Sequence, residues 1–128
     1  MSNKILIVDD SRTVRVQLAK ILSDAGFETF EASGGREALT SVGELRPNLM
    51  ILDIQMPDMD GYGVCQELKQ MGEPFERLPV VFLTSLESHA LDLLGDAMGA
   101  YLQKPVVPDD LLSVVNRFML PAYQATLP

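Results

Sequence analysis

The chain is poor in cysteine, histidine, positive charge and long apolar runs, and each shortage narrows what it can be. A single cysteine, Cys65, cannot close an internal disulfide, so packing alone holds the fold, and this usage fits a reducing cytosol. Ten Lys and Arg stand against 18 Asp and Glu, a net charge of −8. Such a domain repels nucleic acid and anionic membrane, and any DNA contact belongs to a partner. The apolar run Leu78 to Leu83 is only six residues long and contains Pro79, far short of the ~20 residues a spanning helix needs. Lys4 is followed by four apolar residues before Asp9 and Asp10, too few for a signal-peptide core. The chain is therefore expected to stay in the cytoplasm. The one histidine, His89, falls early in a helical segment, where a surface histidine is a far commoner reading than a phosphotransfer residue.

What remains is an ordinary globular composition, 47% hydrophobic and 22% charged. Its 128 residues make one domain and bury about two-thirds of the unfolded surface. No internal repeat or low-complexity tract interrupts it. The domain is expected over residues 1–120, with 121–128, which carry two prolines and no helical pattern, as a tail or the beginning of a linker.

Five short apolar runs punctuate the sequence: Ile5 to Val8, Phe27 to Ala32, Leu49 to Leu52, Val80 to Leu83, and a weaker one at Tyr101 and Leu102. Helical spacing fills the intervals, at Val14, Leu18, Ile21 and Leu22; at Ala38, Leu39 and Val42; at Val64, Cys65, Leu68 and Met71; at Leu86, Ala90, Leu93, Leu94 and Ala97; and at Leu111, Leu112, Val115 and Met119. Gly26 sits where a left-handed helix end is wanted, and Pro108 with Asp109 and Asp110 where a helix starts. Five βα units with short connections predict an α/β fold, a parallel sheet with helices on both faces. The first, third and fourth runs are almost wholly apolar, as strands covered on both sides are, whereas the second alternates and reads as an edge.

Ligands of an open parallel sheet bind beyond the carboxyl ends of its strands. The first run ends in Asp9 and Asp10, the third in Asp53, the fourth in Thr84 and Ser85, and the fifth leads to Lys104 and Pro105. Three carboxylates, a hydroxyl and an ammonium are thus expected on one rim. Carboxylates so close repel, and without a cation one of them tends to keep its proton. Oxygen ligands with retained water suit Mg²⁺, usually beside a phosphate. Lys104 and Thr84 can meet phosphoryl oxygens, and Asp53 can act as nucleophile to form an aspartyl phosphate. Met56-Pro57-Asp58-Met59-Asp60-Gly61 reads as a turn feeding a helix capped by Asp60.

Four stretches, Ile5-Leu6-Ile7-Val8-Asp9-Asp10-Ser11, Leu52 through Gly61, Leu83-Thr84-Ser85 and Tyr101-Leu102-Gln103-Lys104-Pro105, together resemble the receiver domain of two-component response regulators. The resemblance runs from Lys4 to about Leu120. It implies a flavodoxin-like, doubly wound five-stranded sheet in the order 2-1-3-4-5. It implies Mg²⁺ held by Asp10, Asp53 and the main-chain oxygen of Gln55 with Asp9 nearby, and phosphorylation of Asp53 by a histidine kinase or phosphotransfer protein. Thr84 and Lys104 would contact the phosphoryl group, and Tyr101 would be the rotating aromatic that changes the face of the fourth helical segment, fifth strand and fifth helical segment. The consumer of that change would be a downstream output domain or protein; dimerisation on phosphorylation stays open. The protein would be a regulator that catalyses only its own phosphorylation and dephosphorylation. One departure from the family pattern is that Gly99 and Ala100 directly precede Tyr101, which predicts a trimmed or shifted fourth helical segment.

Competing readings fit less well. An aspartate-nucleophile phosphatase of the haloacid dehalogenase type wants Asp-x-Asp after the first strand, not Asp9-Asp10-Ser11. A flavodoxin needs a hydroxyl- and glycine-rich phosphate cradle there, and a degenerate receiver serving only for docking would lack one of the reactive positions.

In the family, the residues two beyond the phosphorylated Asp and two beyond the Thr influence attack by water. Here they are Gln55 and Leu86, and Leu86 has no group to orient a water. Slow self-dephosphorylation is expected, with Leu86→Glu losing phosphate faster in a discharge time course; equal rates would contradict this.

Overall fold

A computed structural model describes residues 3–85 and 100–119. Its strands are β1 (Lys4–Val8), β2 (Glu28–Ala32), β3 (Leu49–Asp53), β4 (Val80–Thr84) and β5 (Ala100–Gln103), and its helices α1 (Arg12–Asp24), α2 (Gly35–Leu45), α3 (Gly61–Met71) and α4 (Pro108–Met119). A short 3₁₀ turn, Phe75–Arg77, precedes β4. The fourth helical segment of the sequence reading, Leu86 to Ala97 with His89, lies outside the described residues, as does the segment 121–128.

All strand pairs are parallel and the order is β2-β1-β3-β4-β5, the order that the resemblance implies. The alternating second run is indeed an edge. It starts at Glu28 rather than Phe27 because the Phe27 N–H still donates to Leu22 O at 3.0 Å, closing the turn after α1. Gly26 makes that turn at φ +98°, a conformation other residues adopt only with strain.

Strand alternation divides the core into two layers. Ile5, Ile7, Leu49, Ile51, Val81 and Leu83 face α1 and α4, meeting Leu18, Leu22, Leu111 and Val115. Leu6, Val8, Met50, Leu52 and Phe82 face α2 and α3, meeting Ala38, Val42, Val64 and Leu68. Burying each such side chain is worth roughly 1.5–3 kcal/mol, which makes the sheet a rigid frame for whatever stands at its ends. Cys65 lies half-buried against the second layer, where burial pushes its thiol up to about 11, in keeping with a packing role.

Helix entries follow local chemistry. Ser11 Oγ accepts the Val14 N–H at 3.3 Å at the start of α1, and Asp60, the cap that the sequence predicts for α3, accepts the Gly63 N–H through Oδ1 at 2.8 Å. Pro108 opens α4 with Asp109 and Asp110 in its first turn. Gly61 brings α3 against the end of β3: a Cβ there would lie 3.0 Å from Asp53 O and 3.1 Å from Ile54 Cα, both main-chain atoms that cannot step aside. Gly61→Ala should therefore destabilise the protein by about 1–2 kcal/mol in chemical denaturation, although alanine is the better helix former; unchanged or increased stability would contradict this close packing.

Candidate functional site

The parallel register brings the polar residues at the strand ends level. Val8 pairs with Leu52 and Asp53 with Leu83, so Asp9, one step past β1, stands beside Asp53. Oxygens of Asp9, Asp10 and Asp53 lie within 4.8 Å of one another. Asp9 is fully buried, Asp53 is 4% exposed and Asp10 faces solvent. Thr84 ends the neighbouring strand, buried, and its carbonyl accepts the Lys104 N–H at 2.7 Å. That bond aims Lys104 back across the sheet. Its ammonium reaches Asp9 Oδ2 at 2.8 Å and Asp53 Oδ1 at 3.4 Å.

The electrostatics are those of a crowded acidic pocket. Burial raises the Asp53 carboxyl above its ordinary value and the Asp9 charge raises it further, against the opposing pull of Lys104 and the Gln55 N–H, 3.4 Å from Asp53 Oδ1. Lys104 loses hydration by burial, yet its contacts with Asp9 and Asp53 outweigh that loss and hold its amine above the ordinary value. At an effective dielectric near 20, each pair of carboxylates at such range repels by ~3–4 kcal/mol. Three carboxylates facing one ammonium leave two negative charges, which a divalent cation would neutralise. Asp9 Oδ2 is buried without a well-directed hydrogen bond among the described residues, where it pairs with the Lys104 ammonium. An all-oxygen set with one solvent-facing member fits a hard ion such as Mg²⁺ that keeps part of its water.

The sequence-predicted residues Asp9, Asp10, Asp53, Gln55, Thr84 and Lys104 thus share one rim. Tyr101 lies on β5 beside Phe82, ring centroids 5.3 Å apart and stacked, and its hydroxyl is 3.5 Å from that of Tyr62 on α3. Burial, then Tyr62, hold its phenol well above the usual range. Gly99 and Leu86, and with them the expected trimmed or shifted fourth helical segment, lie outside the described residues.

Three contacts were not foreseen. Arg15 reaches back from α1 to the Asp9 carbonyl, and Tyr62 meets Tyr101. Asp58, in the loop after β3, accepts the Gly35 and Arg36 N–H groups at the start of α2, both at 3.1 Å. Gly34 makes room for it, since a Cβ there would lie 2.9 Å from Asp58 Oδ1. Only a prediction of which loops touch could have revealed these pairs, as the partners of Asp58 lie 22 and 23 residues away.

Comparison with known proteins gives a consistent result. The family model for the response regulator receiver domain matches residues 5–116. The ycf27 regulator of Cyanophora paradoxa is 39% identical over 126 residues, 97% of this chain but 51% of its own length. The chain spans about half the length of the curated relatives it matches. The structure of the chemotaxis response regulator CheY4 of Vibrio cholerae superposes with a TM-score of 0.81 at 34% identity, covering 93% of this chain and all of that one. The receiver domain of a Syntrophus aciditrophicus signal transduction histidine kinase does so at 0.78 and 36%, covering 98% and 92%.

The Asp58 tether has a definite pH signature. The Arg36 N–H, then the Gly35 N–H, hold its carboxyl below the ordinary value. Its contribution is full above the unfolded carboxylate range and fades as pH falls through the lowered folded value. Asp58→Ala should cost about 1 kcal/mol at neutral pH, the size of a lost helix cap. In urea unfolding the gap to wild type should close in acid, while a pH-independent gap would contradict the tether.

Proposed function

Because the chain belongs to the response regulator receiver family of two-component signalling, we propose that it is a phosphoacceptor switch that takes a phosphoryl group onto Asp53. The observation that carries this reading is the Lys104 ammonium set between Asp9 and Asp53 at the mouth of a three-carboxylate cluster. The donor is a histidine kinase or a phosphotransfer protein. An Asp53 oxygen attacks phosphorus, the P–O bond forms as the P–N bond to the donor imidazole breaks, and that imidazole leaves with its electron pair and takes a proton. Asp10, Asp53 and the Gln55 carbonyl would hold Mg²⁺, with Asp9 beside them. When bound, Mg²⁺ neutralises the carboxylates and the incoming phosphoryl charge.

The remaining work falls to the chain itself. The buried walls exclude water around Asp53, which keeps the charge contacts strong. Lys104, already oriented by the Thr84 carbonyl, exchanges its contact with Asp53 for one with a phosphoryl oxygen, and the Thr84 hydroxyl donates to another. Thr84 moves inward, Tyr101 turns into the space it leaves, and the face around β5 and α4 changes. A differential of a few kcal/mol suffices to make the minor state dominant. The product of the reaction is therefore a changed surface, read by an output domain or protein. The domain occupies residues 1–120 and turns over no substrate besides its own phosphoryl group. It works in the cytoplasm; no described helix is long and apolar enough to cross a membrane.

Intact-mass analysis after incubation with a small phosphodonor and Mg²⁺ tests this. Wild type should gain one phosphate-sized adduct, and Asp53→Asn should gain none. No adduct on wild type, or an equal adduct on Asp53→Asn, would overturn the assignment.

A further inference from the structure

The polar groups of Asp9 are held by hydrogen bonds or an ion pair from β2, both ends of the first turn of α1, and the segment after β5. Its N–H donates to Ala32 O at 3.2 Å at the end of β2, its Oδ1 accepts the Ser11 N–H at 2.8 Å, and its Oδ2 meets the Lys104 ammonium at 2.8 Å. The fourth partner lies on α1, where Arg15 Nη1 donates to the Asp9 carbonyl at 2.6 Å. The same guanidinium turns its Nε to Glu31 Oε1 on β2 at 3.2 Å, and its side chain is only 14% exposed. A planar fork with two donors used in different directions is a rigid strut, which a lysine cannot imitate.

The carbonyl that Arg15 holds belongs to the peptide joining Asp9 to Asp10. Asp10 faces solvent, and among the described residues no hydrogen bond holds its carboxylate. Its direction is therefore set by the main chain, through the plane of that peptide. We infer that Arg15 is a positioning residue for the cation site, fixing the Asp9–Asp10 peptide from α1 so that the Asp10 carboxylate stays aimed at the place where Asp9 and Asp53 converge. This rests on the function proposed above and adds to it a residue outside the rim, together with the β2 carboxylate that steadies it.

Charge alone predicts the opposite effect. A guanidinium close to a cation site disfavours the cation, so removing it would tighten binding if Coulomb repulsion were its only influence. Titration of MgCl₂ into wild type, Arg15→Met, Arg15→Lys and Glu31→Gln, followed by the amide shifts of Asp10 and Gln55, separates the two. Arg15→Met should weaken Mg²⁺ about tenfold, the usual scale for losing a group that orients a ligand. Arg15→Lys, which keeps the charge but not the fork, should also weaken it, and Glu31→Gln less than either. Thermal unfolding run alongside shows which variants fold; if Arg15→Met does not, Arg15→Lys carries the test. Wild-type or tighter affinity in a folded Arg15 variant, with only its unfolding temperature lowered, would overturn the inference and leave the proposed function standing. A wild-type chain that takes up no Mg²⁺ would overturn both.

Discussion

Two carboxylates buried side by side at neighbouring strand ends can both stay ionised only if something positive stands near them. Lys104 does so in this chain, 2.8 Å from Asp9 and 3.4 Å from Asp53. Burial, and then the Asp9 charge, still raise the Asp53 carboxyl against the pull of Lys104. A site balanced in this way holds residual negative charge in a dry setting, where fields are strong and hydration is already lost. Both a divalent cation and a phosphoryl group with its cation relieve that imbalance. In the proposed function, accepting phosphorus and rearranging afterwards share this one electrostatic origin.

The rest of the molecule supplies stiffness. The five-stranded parallel sheet, sealed between two apolar layers, gives the rim residues a common base that side-chain motion does not disturb. Contacts between elements then refine the aim: Arg15 on α1 ties the end of β1 to β2, Asp58 ties the loop after β3 to the start of α2, and the Thr84 carbonyl stands behind Lys104. At β5, Tyr101 is held by ring stacking on Phe82 and a long contact to Tyr62.

Much of this was legible in the residues themselves. Wholly apolar runs marked β1, β3 and β4 as covered on both faces, and the alternation of Thr29, Phe30 and Glu31 marked an edge, because strand burial writes itself into hydrophobic period. Asp9, Asp53, Thr84 and Lys104 could be placed on one rim since a parallel sheet points every strand the same way. Asp60 and Pro108 were readable because caps act within one helical turn. What escaped was contact between elements whose relative placement the sequence does not state. Arg15 carried no signal in the sequence, and Asp58 read as a turn residue. Their partners depend on how α1 and α2 lie across the sheet, which no local pattern encodes.

The proposed convergence of Asp10 and Asp53 around one cation is open to direct mapping. Mn²⁺, which accepts the same oxygen ligands as Mg²⁺, broadens the amide signals nearest to it at low stoichiometry. Added to the full chain, it should first erase the signals of Asp9, Asp10, Ile54 and Gln55, with Asp10→Asn abolishing the effect. Broadening centred on Asp58 and Asp60, or spread evenly over the acidic surface, would contradict a cation site at the strand ends.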